Sequence, residues 1–319
     1  MGPLASIRRR MRRGKGRRDL VPAPFVVGVA RSGTTLLRLM LDAHPELAIP
    51  PETHFVPKLI SHCERWIAEE ATTDELRERA FELMTTHPRW GDMGLDPEEL
   101  RRRLAQRDPL TPGDAVRSFY EAYAAREGKP RWGDKSPPYT WKALRIQRGL
   151  PEARFVHLIR DGRDVALSLN EVSWGPVGIA EAAHKWTEEL TRARRRARRL
   201  ARGTYMEARY EDLVADPEPV LRSVAAFVDL PWDDAMLTYH QGAEKRMREV
   251  VRELKPLGGG TITAEERTRQ HELVSKPPRA SRVGRWRTEM SRGDRQAFES
   301  VAGELLAKLG YEVEYDLVE

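Results

Sequence analysis

Residues 24–41 read PFVVGVARSGTTLLRLML, an apolar run broken by Gly28 and Gly33 that resumes with a different period. Before Gly28, Val26 and Val27 follow two prolines and have the composition of a short buried strand, read here within 20–29. After Gly33, Leu36, Leu37, Leu39, Met40 and Leu41 suit a buried helix ending near Ala43 to Pro45. A strand running into a helix through a tight glycine turn constrains everything that follows. It aims the unsatisfied N–H groups of the helix, and the positive end of its dipole, at whatever lies beyond the strand. That arrangement cradles anions. Ser32, Thr34 and Thr35 add hydroxyls, and Arg31 adds a planar cationic fork. The glycine spacing matches a nucleotide-phosphate loop, yet Thr34 stands where such a loop has its Lys. The loop therefore suits an anion held without a metal. A plain strand-to-helix turn is the other reading of the same residues.

The plan repeats. RFVHLI, 154–159, reads as a second strand, and GTYMEARYEDL contains a third. Helical patterns cover 55–70, 74–87, 97–106, 112–127, 179–202, 217–230 and 293–309. KPRWGDKSPPYTW, 129–141, reads as a loop entering a helix. Residues 242–285 are polar and glycine-bearing, and read as a mobile loop. Strands alternating with helices predict an α/β fold with a P-loop-like central parallel sheet flanked by helices. One domain is expected over 20–319, with a helical insertion at about 55–127 capping the acceptor pocket.

The chain has 319 residues, 40% of them hydrophobic, enough to bury one large core. No run of 18 apolar residues predicts a transmembrane helix, and no apolar segment of signal-peptide length follows the basic N-terminus. Cys63 is the only cysteine, so no intrachain disulfide forms and a cytoplasmic location is expected. The net charge of +6 is uneven. Residues 1–19 carry eight Lys/Arg against Asp19 alone, a net of +7, leaving the rest of the chain at −1. Such an arm is usually a disordered, solvated segment. Nucleic acid and anionic membrane surfaces are its possible partners. The near-neutral body and the absence of aromatic residues among the arm's charges speak against nucleic acid.

A second segment, FVHLIRDGRDVALSL, puts Arg160 and Arg163 at the turn after a strand and Ser168 two helical turns on. Arg160, Asp161, Arg163 and Asp164 also describe a capped, salt-bridged helix start. Arg160 stands at the end of an apolar strand, where open α/β sheets bind ligands. Together GVARSGTTLL and LIRDGRDVALSL resemble the 5′-phosphosulfate loop and the 3′-phosphate segment of sulfotransferases that use 3′-phosphoadenosine 5′-phosphosulfate (PAPS). RLMLDAHPELAIPPETHFVPKLI, GDKSP, RYEDLVADPEPVLRSVAAFVDLPW and GRW are similar to stretches of the tyrosylprotein branch. The resemblance covers about residues 24–310.

It implies a sulfuryl transfer from PAPS, leaving PAP, to an acceptor hydroxyl without a metal. Carried over, Glu52 of PPETHF is the general base, with His54 as competitor, and Lys135 of WGDKSPP is a catalytic cation beside Arg31. Arg31, Ser32, Gly33, Thr34, Thr35, Arg160 and Ser168 hold the donor. Tyr210 matches a position near the adenine, and a core tyrosine is an equal reading of it. Thr268 and Arg285 match phosphate-contacting positions loosely, and Arg279, Arg282 and Arg287 compete with Arg285. The acceptor itself, small molecule, glycan or peptide, has no signature here. Two alternatives stand beside this reading: a P-loop small-molecule kinase using ATP and Mg²⁺, and a nucleic-acid-binding protein acting through the basic arm.

Overall fold

The computed structural model describes residues 20–249, 252–255, 261–271, 276–278 and 280–314. The basic arm and Arg279 lie outside them. Six strands are present among the described residues: β1 (Ala23–Val27), β2 (Leu47–Ala48), β3 (Arg131–Trp132), β4 (Asp134–Lys135), β5 (Ala153–Ile159) and β6 (Tyr205–Arg209). The central sheet runs β4-β1-β5-β6 with every neighbouring pair parallel, and β2 pairs with β3 in a second, two-stranded sheet.

Alternation along the strands sorts the helices into layers. Val26 of β1 and Val156 and Leu158 of β5 face α1 (Thr34–Asp42), the helix that follows the glycine loop. The opposite face carries Phe25, Val27 and Phe155. Those residues pack on the insertion: α2 (Val56–Ala68), α3 (Thr73–Thr85), the single turn α4 (Trp90–Met93), α5 (Pro97–Ala105) and α6 (Pro112–Arg126). Thr72 and Thr111 close capping boxes at the starts of α3 and α6, and Asp96 caps α5, so these three insertion helices begin where their own sequence marks a start. Then come α7 (Ala143–Gly149), α8 (Gly162–Asn170) and α9 (Ile179–Ala197). After β6 the chain forms α10 (Tyr210–Ala215), α11 (Pro217–Phe227), α12 (His240–Arg248), α13 (Ala264–His271), α14 (Trp286–Glu289) and α15 (Arg292–Lys308). Helices α10 and α11 join the α1 layer, while α8, α9 and α15 share a third cluster with Val29 and Ile159.

The helix after β1 and the helix after β5 thus leave on opposite faces of adjacent strands. That divergence opens a crevice at the strands' C-terminal ends, the usual ligand position of open α/β sheets.

Three expectations need correcting. Residues 129–141, read as a loop entering a helix, hold β3, β4 and a 3-10 stretch at Pro137–Lys142. Two-residue strands are too short to show a period; Phe25 and Val26 of β1 recruit Asp134 and Lys135 through pairing alone. Within 242–285, read as a mobile loop, the described residues include most of α12 and all of α13. Their polar sequences hid this, because ion pairs rather than apolar stripes dock them: Arg246 to Asp42 at 2.5 Å and Arg267 to Asp92 at 2.8 Å. The predicted helix 179–202 stops at Ala197.

Candidate active site

The glycine loop turns sharply. Gly33 has φ +90°, and a Cβ there would lie 2.3 Å from the Tyr210 ring, so only glycine fits. Gly28 is equally constrained: its Cβ would meet the Leu158 carbonyl oxygen at 2.6 Å. Arg31 holds a left-handed φ of +71°, a strained conformation for a residue with a side chain. The strain aims its guanidinium across the crevice, where Nε donates to Ser168 Oγ at 3.0 Å. Burial pulls the Arg31 pKa down; Glu171 opposes this, and Arg160 and Arg282 add to it. A guanidinium stays charged in proteins, so crowded cations at this point favour a bound anion.

Arg160, nearly buried, donates Nη1 to the Arg31 carbonyl at 3.0 Å and Nη2 to the Arg282 carbonyl at 2.6 Å. Its guanidinium carbon stands 4.5 Å from the Tyr210 ring centroid. Its Nε is buried and has no hydrogen-bond partner. The orphaned donor, the glycine cradle and the Arg31–Ser168 contact fit a ligand with phosphate groups on two sides of a nucleoside. Arg31, Ser32, Gly33, Thr34 and Thr35 would hold one side, and Arg160 and Ser168 the other. The capped-start reading of the same segment is also present in the structure. Asp161 caps α8 by accepting from the Arg163 N–H at 2.9 Å, and the buried Arg163 pairs with Asp161 and Glu299.

On the other side of the loop, Lys135 Nζ lies 2.6 Å from Glu52 Oε1 and 3.3 Å from Thr35 Oγ1. Glu52 Oε2 meets His54 Nε2 at 2.7 Å and Arg89 at 3.6 Å. Burial pushes the Glu52 pKa up, but Lys135, the His54 hydrogen bond and Arg89 together hold it well below the usual carboxylate range. Burial lowers the Lys135 pKa, and Glu52 opposes that shift. His54 has φ +58°, the second left-handed side chain at this site. Beneath the pair, Asp134 Oδ2 accepts from Tyr120 at 2.7 Å and Thr53 at 2.9 Å. Thr53 is also within 2.9 Å of the Tyr139 hydroxyl. This buried cluster fixes the backbone on either side of Glu52 and beside Lys135.

The C-terminal candidates fall less neatly. Thr268 is exposed, and its hydroxyl donates to Ala264 in its own helix. Arg285 is held by Glu171 and Glu289, each at 2.6 Å. Arg287 points to Glu312. Arg282 lies 3.6 Å from Glu171 and its carbonyl receives Arg160, so it stands closest to the crevice of the described competitors. Asp164 secures this segment by accepting the N–H groups of Gly284 and Trp286. Arg89 and Glu171 sit in stretches without motif or period, and the sequence does not mark them. Thr53 and Asp134 stand inside PPETHF and WGDKSPP, but only the packing brings them together. Among the described residues no group of three or more His, Cys, Asp or Glu is placed to hold a metal ion.

Comparison with known proteins places the chain in a family. The model of the sulfotransferase family matches residues 22–234. A protein-tyrosine sulfotransferase of Drosophila melanogaster is 27% identical over 232 residues, covering 70% of this chain and 41% of that protein. Protein-tyrosine sulfotransferase A of Caenorhabditis elegans is 26% identical over 298 residues, 91% of this chain and 67% of the relative. The chain thus spans well under half of the fly relative and about two thirds of the nematode one. The sulfotransferase domain from the curacin biosynthetic pathway has the same fold: TM-score 0.59 at 22% identity, covering 92% of this chain and 99% of that domain.

Proposed function

This chain belongs to the sulfotransferase family, and we propose that it moves a sulfuryl group from PAPS to a hydroxyl of a peptide or protein acceptor, with Glu52 as general base. The observation that carries the proposal is the pair of anion-binding segments on either side of one crevice, joined by the Arg31–Ser168 hydrogen bond.

PAPS in that crevice supplies an activated sulfuryl group bound to a good phosphate leaving group. The chain's own residues do the rest. Arg31 and the N–H groups at the start of α1 bind and orient the phosphosulfate side. Arg160 and Ser168 set the register from the other side. Glu52 is ionised at neutral pH, the state a base requires. As it takes the acceptor's proton, Lys135 loses its counter-charge. The freed ammonium then faces the Thr35 side, where negative charge builds as the sulfuryl bond breaks. The peptide acceptor is supported by the named relatives. A cytoplasmic, reducing setting is part of the proposal, supported by a single cysteine that is buried.

Thermal-shift titration with PAP beside ATP, followed by sulfate transfer to tyrosine-containing peptides with and without a chelator, tests the whole reading. Stabilisation by PAP and chelator-resistant transfer are expected. Preference for ATP, or activity lost with the chelator, favours the kinase alternative.

A further inference from the structure

The N-terminal ends of β1, β5 and β6 gather at one edge of the sheet, opposite the crevice. The segments entering those ends are strongly basic. The last turns of helix α9 and the segment that follows it read TRARRRARRLAR, residues 191–202. Arg192, Arg194 and Arg196 are engaged, with Glu188, Glu207 and the Trp141 carbonyl. Arg195, Arg198, Arg199 and Arg202 are exposed, and none has an ion-pair partner among the described residues. Helix α7 adds to them. Its Gln147 bonds the Ala201 N–H at 2.9 Å and Thr204 Oγ1 at 2.7 Å, which sets exposed Arg148 beside the end of α9. The nearby carboxylate of Glu152 is already taken by Arg117 at 2.6 Å.

The chain's entry into the sheet lies at the same edge. The Ala23 N–H donates to the Glu152 carbonyl at 3.1 Å, and the Ala153 N–H to that of Leu150 at 3.0 Å, so residues 20–22 sit next to the end of α7. Leu20 is 39% and Val21 59% exposed there, two of the few large apolar side chains the described surface leaves open. The sequence immediately before them carries the eight Lys/Arg of residues 1–19, with Met11 among them and Leu4 and Ile7 ahead of them.

We propose that this edge, centred on Arg195, Arg198, Arg199 and Arg202, is a docking face for an anionic lipid bilayer. The charges meet acidic headgroups, and the apolar residues at 20–21 suit the headgroup–acyl boundary, where a nucleic acid offers nothing to match them. Docking by this edge leaves the crevice, at the other end of the strands, open to donor and acceptor. A cation run at a helix C-terminus partly answers the helix dipole, but that effect fades within the last turn, and these arginines extend past it to Arg202.

The test is co-sedimentation of the full chain with vesicles of phosphatidylcholine, with and without about 30% phosphatidylserine. Binding is expected only with phosphatidylserine and is expected to weaken as salt rises. The variant R195Q/R198Q/R199Q/R202Q should lose about a hundredfold or more in partitioning, at roughly fivefold per arginine. It should keep its PAP thermal shift and its transfer to a soluble acceptor, which shows that it folds. Phosphatidylserine-independent behaviour overturns the proposal. So does a variant that binds undiminished, which would place the attraction in the arm alone. Tighter binding to duplex DNA than to the vesicles at equal salt would assign the face to nucleic acid instead.

Discussion

Lys135 Nζ stands between Glu52 Oε1, at 2.6 Å, and Thr35 Oγ1, at 3.3 Å, so one ammonium touches both the candidate base and the anion cradle. The contact links two events of a sulfuryl transfer. A proton arriving on Glu52 removes the partner that holds Lys135, and the released charge already borders the loop where a phosphate would leave. The pair predicts a separation of binding from turnover. Glu52→Gln keeps the shape and removes the basicity. Transfer should fall about 10²- to 10⁴-fold while PAP still raises the melting temperature as in the parent. Unchanged turnover in Glu52→Gln would refute its assignment as base.

The pH profile follows from the groups around Glu52. Lys135, the His54 hydrogen bond and Arg89 hold the carboxyl well below its ordinary value, so the ionised, active form persists as pH falls. Activity should therefore decline only at pH values below the usual carboxylate range. His54→Gln weakens one of these influences, so its acid limb of kcat/KM should move upward. A limb that stays in place, or moves down, would show that His54 does not act on Glu52.

Arg160 tests the second anion site. Its buried Nε lacks a partner, while both Nη atoms serve carbonyls that join the loop to the C-terminal segment. Arg160→Ala should weaken PAP binding about tenfold to a hundredfold, the worth of a charge-assisted contact. Binding of 5′-AMP, which lacks the 3′-phosphate, should change less. Calorimetric titration of both nucleotides checks this. Equal losses for the two would mean that Arg160 only holds the loop together.

Much of this was readable from the chain because certain residues have one physical use. Gly28 and Gly33 between an apolar run and a helical pattern, and Arg160 at the end of an apolar strand, announce a crevice before any coordinates. The insertion shows in the sequence as helical patterns at 55–70, 74–87, 97–106 and 112–127. What stayed hidden is what needs the third dimension. Arg89 reaches Glu52 from 37 positions away in the chain. Helix α13 is docked by Arg267 on Asp92, 175 positions apart, with no apolar stripe to reveal it. Thr268, chosen from a loose match, turned out to bond its own helix. Arg285 is paired off by Glu289, four residues on, and by Glu171, which no spacing rule connects to it.

Asp134 gives the last prediction. It is fully buried beside Lys135, accepts from Tyr120 and Thr53, and leaves Oδ1 without a partner. Burial raises its pKa from 3.8 to about 6, only partly offset by those hydrogen bonds. The native state therefore holds the proton more tightly than the unfolded chain. Below about pH 4 the carboxyl is neutral in both states and carries no charge penalty. As pH rises towards 6 the unfolded chain ionises first, and stability is lost. Above 6 the native state carries a buried charge, at a cost of about 3 kcal/mol. Asp134→Asn cannot ionise, so relative to the parent it should gain on that order between pH 4 and pH 7, whatever its absolute stability. Urea denaturation of both proteins at the two pH values measures the difference. A stability gap between them that does not change with pH would mean that Asp134 is ionised throughout.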